Sequence, residues 1–278
     1  MINDVTNRQE TSTSSLSVLA ELTPRTVVLD MLAIAGDTPL SSPALVRGGD
    51  IMGFQPVAMR VAVSRLAAQK LIESPRRGEW QLAGEAPWAR ERARWQNLDA
   101  LLAPWQGGWW VVATQKVSRS SRARWRNHER ALWQRGFREA HRDLFVRPAN
   151  LTLDFAALHQ ELMGLGMHPD SVLMEASQLS FQPKPALWDA RRWPQAQAKV
   201  LAKMLGLIEK NSDADEKKRC EHFLRMGRAA TRTLNTDPLL PEEWTGPSPR
   251  RDLVALMPRF IATGRNLWFQ YLNIGTRN

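Results

Sequence analysis

At 278 residues the chain has room for two or three domains, each able to bury a core, and 43% hydrophobic with 24% charged residues excludes a disordered chain. A formal net charge of +10 and a pI near 10.5 favour a polyanionic partner, because clustered cations gain affinity by releasing counterions condensed on phosphate. Cys220 stands alone, which excludes an intramolecular disulfide, and with neither a signal-peptide core nor an apolar run near the ~18 residues of a membrane helix the protein is expected to be cytoplasmic, with no membrane partner.

Residues 1–22, with the run Thr11-Ser12-Thr13-Ser14-Ser15, read as a flexible leader. Thr23 as N-cap and Pro24 at the first helical position open a helix whose Val27, Val28, Met31, Leu32 and Ile34 share one side, and Gly36 ends it. A short helix from about Pro43 follows, with Gly48, Gly49 and Gly53 where helices must turn and pack closely. Gln55-Pro56 opens a third. At 100° per residue Met59, Ala62, Val63 and Leu66 share its packing face, while Val57, Arg60, Val61 and Ser64 share the opposite one with Arg65 at its edge. Leu71 to Ser74 and Glu79 to Leu82 alternate as a hairpin with Pro75-Arg76-Arg77-Gly78 at its tip. Two helices, a recognition helix and an Arg-tipped hairpin make residues 23–88 a winged helix-turn-helix. Its expected DNA-binding residues are Gln55, Val57, Arg60, Val61, Ser64, Arg65, Arg76 and Arg77. Charge agrees, since residues 1–150 carry 21 Lys and Arg against 14 Asp and Glu, and residues 151–278 carry 17 against 14.

Residues 89–106 are expected to form a linker helix, broken by Pro104 and Gly107-Gly108. Trp109 to Ala113 reads as a buried strand, Ser118 to Gln134 as an Arg-rich helix, Leu144 to Pro148 as a strand, Leu153 to Leu165 as a helix, and a strand lies near Ser171 to Phe181. Residues 107–184 therefore read as a central α+β domain. Residues 185–278 read as helical: Leu187 to Ile208, Asp213 to Leu234 and Asp252 to Tyr271.

Three blocks resemble the PaaX-like transcription regulators, the repressor family of phenylacetic-acid degradation. They are Met59-Arg60-Val61-Ala62-Val63-Ser64-Arg65-Leu66; the run from Gly108-Trp109-Trp110-Val111-Val112 through Gly136-Phe137 to Leu144-Phe145-Val146-Arg147-Pro148; and Leu224-Arg225-Met226 leading to Asp237-Pro238-Leu239-Leu240-Pro241-Glu242-Glu243-Trp244. The resemblance implies an α+β multidomain protein with an N-terminal winged helix, a ferredoxin-like central domain similar to a CRISPR adaptation nuclease, and a C-terminal helical domain for effector binding and dimerisation. It implies a homodimeric repressor on double-stranded operator DNA, released by an aryl-CoA thioester or related metabolite. Arg124, Arg130, Arg225, Arg228 and Arg232 with Trp109, Trp110 and Trp244 are the effector-binding candidates; alternatively Arg225, Arg228 and Arg232 pair with Asp237, Glu242 and Glu243.

No enzyme is expected. Thr114, Gln115 and Lys116 stand where a nuclease of that central fold would need a metal-holding carboxylate, and the five histidines show no metal-ligand spacing, so neither metal nor cofactor is anticipated. The basic stretch Lys116 to Arg142 braces a DNA backbone, grips phosphates of a nucleotide-like effector, or is a solvated helix face. The alternative to an operator-specific regulator is an RNA-binding or nucleoid-associated protein that uses its charge without sequence choice.

Overall fold

The computed structural model describes residues 22–84, 91–209 and 215–275, so the expectation of a leader over 1–22 falls, but for its last residue, outside the described residues, as do residues 85–90. The protein is α+β, mostly helical, with two small antiparallel sheets. It divides into two compact units. One takes the chain up to Ala93, Lys203–Arg232 and the chain from Leu256; the other takes Arg94–Ala202 and Thr233–Ala255. The C-terminal helices, of 18 to 23 residues, have residues in both units.

In the first unit, α1 (Pro24–Ala35) starts at a capping box: the Thr26 amide donates to Thr23 Oγ1 (3.2 Å) and the Thr23 amide to Thr26 Oγ1 (2.9 Å). β1 (Leu40–Ser41) leads into α2 (Ser42–Ile51), capped by Ser41. Gly48 and Gly49 let the helices close up: an added Cβ would sit 2.1 Å from Met31 Cε at one and 2.3 Å from Met59 Cγ at the other. α3 (Pro56–Ala68) buries Met59, Ala62, Val63 and Leu66. β2 (Ile72–Glu73) and β3 (Glu79–Leu82) form the hairpin, and β1 adds to β3, giving the order β1-β3-β2.

The same unit holds parts of α7 (Glu216–Asn235) and α9 (Arg250–Leu272). Phe223 stacks on Phe260 at 4.7 Å, Trp268 donates to the Cys220 carbonyl (3.1 Å), and Arg47 and Arg265 donate to the carbonyls of Leu272 and Ile34 (2.7 Å each). Asp30, 2% exposed on α1, is paired with Arg92 and with Arg228 (2.8 Å), so its buried charge is neutralised.

The expected 89–106 linker helix is not continuous where it is described: Arg94–Asn97 and Asp99–Leu101 are 3₁₀ turns. Buried Trp95 and Leu98 stand three apart, the spacing that a 3₁₀ turn eclipses. Then come β4 (Trp109–Ala113), α4 (Arg122–Gln134), β5 (Arg138–His141), β6 (Leu144–Pro148), α5 (Phe155–Leu165) and β7 (Val172–Ala176), a β-α-β-β-α-β order with the sheet arranged β5-β6-β4-β7. Every neighbour pair is antiparallel. One face packs Trp110, Val112 and Phe145 against Leu132 of α4 and Leu158 and Leu162 of α5. The other packs Trp109, Val111 and Val146 against Trp188 and Leu240. Burial on both faces explains the unbroken apolar run of β4. α6 (Arg192–Glu209) and α8 (Glu242–Thr245) are further helices among the described residues.

Candidate nucleic-acid interface

The outer face of α3 is built by elimination. Four apolar side chains at i, i+3, i+4 and i+7 take the core, which leaves Val57, Arg60, Val61, Ser64 and Arg65 in solvent, with Gln55 exposed at the N-cap. Val57 and Val61 are 67% and 43% exposed, an unusual expense on a helix that has a core available to it. The Gln55 side chain makes no capping bond, so its amide is not consumed by the helix it opens.

The hairpin tip is fastened rather than loose. Ser74 Oγ donates to the Arg76 carbonyl (2.6 Å), the Glu79 amide donates to the same carbonyl (2.9 Å), and Gly78 turns the chain at φ +80°. The Ser42 amide at the start of α2 donates to the Gly78 carbonyl (2.9 Å), and Trp80 Nε1 donates to Ser42 Oγ (2.8 Å). Arg76 and Arg77 thus project, exposed, from a loop tied to the helices. The eight sequence candidates all lie exposed in one unit.

The effector candidates are divided between the two units. Trp109 and Trp110 are neighbours on a strand and so face opposite sides of the sheet. Trp109 and Trp244 do meet, at 5.9 Å between ring centroids, in a cluster with Trp105 and Trp188. Trp244 also lines a cavity of about 350 Å³ with Arg191, Pro194, Gln195, Glu243, Thr245 and Gly246. Sequence reasoning missed Arg191 and Gln195; nothing in their local pattern marks them. Arg124 and Arg130 are exposed on α4, whereas Arg225, Arg228 and Arg232 belong to the first unit. The alternative pairing of the last three is not the one found for Arg225 and Arg228: Arg225 pairs with Glu221 one turn away (2.8 Å) and Arg228 with Asp30. Asp237 is instead held within the second unit by Gln197 (2.6 Å) and Arg250 (3.4 Å).

Around this cluster the second unit is braced by a buried cation. Arg147, 1% exposed, donates to the carbonyls of Pro148 (3.0 Å) and Arg135 and to Asn150 Oδ1 (3.0 Å), and Asn150 donates onward to the Leu239 carbonyl (2.7 Å). Burial first, and then neighbouring arginines, bring the Arg147 guanidinium down to about 9. Among the described residues no group of three His, Cys, Asp or Glu could hold a metal ion, and no helix is long and apolar enough to cross a membrane.

No protein-family model matches the chain, and no curated protein matches it. Among solved structures it is similar to the uncharacterized protein Rv0674 from Mycobacterium tuberculosis, with a TM-score of 0.58 and 22% identity over 91% of this chain and 100% of that one. That likeness concerns the fold.

Proposed function

We propose that the chain is a ligand-responsive, sequence-specific DNA-binding transcription regulator of the PaaX-like kind. In this reading α1, α2, α3 and the β2–β3 hairpin form a winged helix-turn-helix, the β-α-β-β-α-β layer is a ferredoxin-like domain, and the C-terminal helices serve the effector and the dimer. The observation that carries it is the pairing, in one unit, of an exposed α3 face bearing Arg60, Arg65, Ser64, Val57 and Val61 with a tethered hairpin tipped by Arg76 and Arg77. The chemistry suits a major groove: an arginine fork matches guanine O6 and N7, and exposed valines suit thymine methyl groups. The regulator acts as a homodimeric repressor without catalysis. Its effector is an aryl-CoA thioester or related metabolite, whose aryl part suits the wall of Trp244 beside Arg191.

The test is footprinting on the DNA upstream of the protein's own gene, followed by affinities of Arg60→Ala on the protected site and on random duplex. The expected loss on the site is about 1–3 kcal/mol, with random DNA little changed. Arg76→Ala and Arg77→Ala weaken both duplexes and flatten the salt slope by about one unit each. Equal affinity of the wild type for every sequence defeats the operator reading in favour of a non-specific nucleic-acid binder.

A further inference from the structure

The second unit carries a cationic helix that contradicts its own electrostatics. α4 has Arg122, Arg124, Arg126 and Arg130 against one acid, Glu129, with no acid in its first turn. Its N-terminal dipole favours anions, yet two of those arginines occupy that turn. Arg122, Arg126 and Arg130 recur every four residues, so they stack on one face, where like charges repel. Taking 100° per residue, that face lies opposite the side that buries His128, Ala131 and Leu132, so the stripe is centred on solvent.

Neighbouring cations are treated differently. Arg119 lies over the Trp125 ring at 4.2 Å and is paired with Asp143 and with Glu139 (3.7 Å). Arg142 has Asp143 (3.6 Å), and Arg135 has Glu161 (2.6 Å). Arg122, Arg124, Arg126 and Arg130 have no ion pair among the described residues, and all four are exposed. Glu139, Asp143 and Glu161 are thus used on Arg119, Arg142 and Arg135, and none of them is paired with the stripe. A local rule broken without internal compensation marks a functional surface.

We infer that the Arg122–Arg126–Arg130 stripe of α4 is a further phosphate-contact surface, one that takes the backbone of duplex DNA. The inference rests on the DNA-binding proposal above. At ~6 Å per step the stripe spans about 12 Å, the axial rise of roughly three to four phosphates of one strand. It offers neither amide nor apolar side chains for base edges on that line, so it adds affinity and salt dependence without sequence choice.

The test is the triple variant R122Q/R126Q/R130Q in the full chain, titrated with duplex DNA across a range of salt. Removing like charges from an exposed face leaves the fold intact, so the thermal midpoint stays the same or rises. The slope of log K against log salt falls by about two to three, and affinity at 0.1 M salt weakens ~10-fold or more, on operator and random duplex alike. R122K/R126K/R130K, which keeps the charge, restores the slope. An unchanged slope in the glutamine variant overturns the inference, and if Arg60→Ala still loses the operator in that experiment the α3 reading stands alone. A reduced slope, with Arg60→Ala, Arg76→Ala and Arg77→Ala all binding as the wild type does, upholds the stripe and removes the α3 reading. If poly-glutamate rather than duplex DNA loses affinity in the triple variant, the partner is an acidic protein and the assignment to DNA is overturned.

Discussion

His128 lies on the buried side of α4, 0% exposed, with its Nδ1 accepting the His168 backbone amide (3.1 Å). The proton of the neutral ring is therefore on Nε2, and burial, with help from His168 and Arg119, pulls its pKa from 6.5 down to about 4. Since the folded value lies below the unfolded one, the unfolded chain takes up the proton first. The neutral ring's contribution is complete above pH ~6.5 and is lost as pH falls towards 4, up to about 3 kcal/mol in all. The stability difference between wild type and His128→Asn, followed by denaturant melts from pH 7 to 4, should shrink by that order; a constant difference would show that the imidazole is not held neutral. Cys220 shows the same physics with the opposite sign for an acid. Burial raises its thiol to about 12, so a thiol reagent at pH 8 reacts on the timescale of unfolding and at once in denaturant. Immediate labelling of the native protein would mean that the core around Cys220 opens locally.

At the scale of elements, close approach of α2 and α3 depends on a missing side chain. A Cβ on Gly49 would stand 2.3 Å from Met59 Cγ, near the root of that side chain, where it cannot simply swing aside. Gly49→Ala therefore costs about 1–3 kcal/mol by overpacking, against ~1 kcal/mol gained in helix propensity, a net loss. Met59→Ala, which removes that Cγ, should therefore cost less in the Gly49→Ala background than in the wild type, and a double variant no better than the sum of the two singles would place the strain elsewhere. The packing face of α3 was legible in the sequence because burial at i, i+3, i+4 and i+7 is a local signal. β4 and β6 were legible from their apolar runs, with the boundaries predicted. β1 was not, since a two-residue strand is defined only by its partner β3, nor β5, whose Arg-Glu-Ala-His has no alternation and forms a sheet edge. The outer face of α3 and the hairpin tip follow directly from the pattern. The opposed faces of Trp109 and Trp110 were also written in the two-residue period of a strand, whereas the use of Glu139, Asp143 and Glu161 on Arg119 and Arg135 rather than on the α4 stripe was not, because only the tertiary fold brings those acids to those arginines.

For the whole molecule, the DNA-binding proposal sets two requirements. One α3 face and one short hairpin read too few base pairs to single out an operator among a genome's ~10⁶–10⁹ competing sites, so a two-fold dimer on half-sites about one helical turn apart is expected. Sedimentation giving one chain mass, 31.5 kDa, both free and on DNA would contradict it. The second requirement is thermodynamic. The exposed α3 face belongs to the first unit and the cavity beside Trp244 to the second, so an effector bound there releases DNA only through a difference in its affinity for the DNA-bound and DNA-free states. Linkage makes that difference reciprocal: whatever factor the effector removes from operator affinity, the operator removes from effector affinity, typically about 5- to 150-fold for a coupling of ~1–3 kcal/mol. Calorimetric titration of phenylacetyl-CoA into the protein, alone and saturated with operator, should give dissociation constants whose ratio equals the ratio of operator affinities with and without it. Tight binding with a ratio of one would make the compound a ligand but not the inducer. Trp244→Ala should weaken the titration without altering the salt slope on DNA, because it changes a wall of the cavity and no phosphate contact.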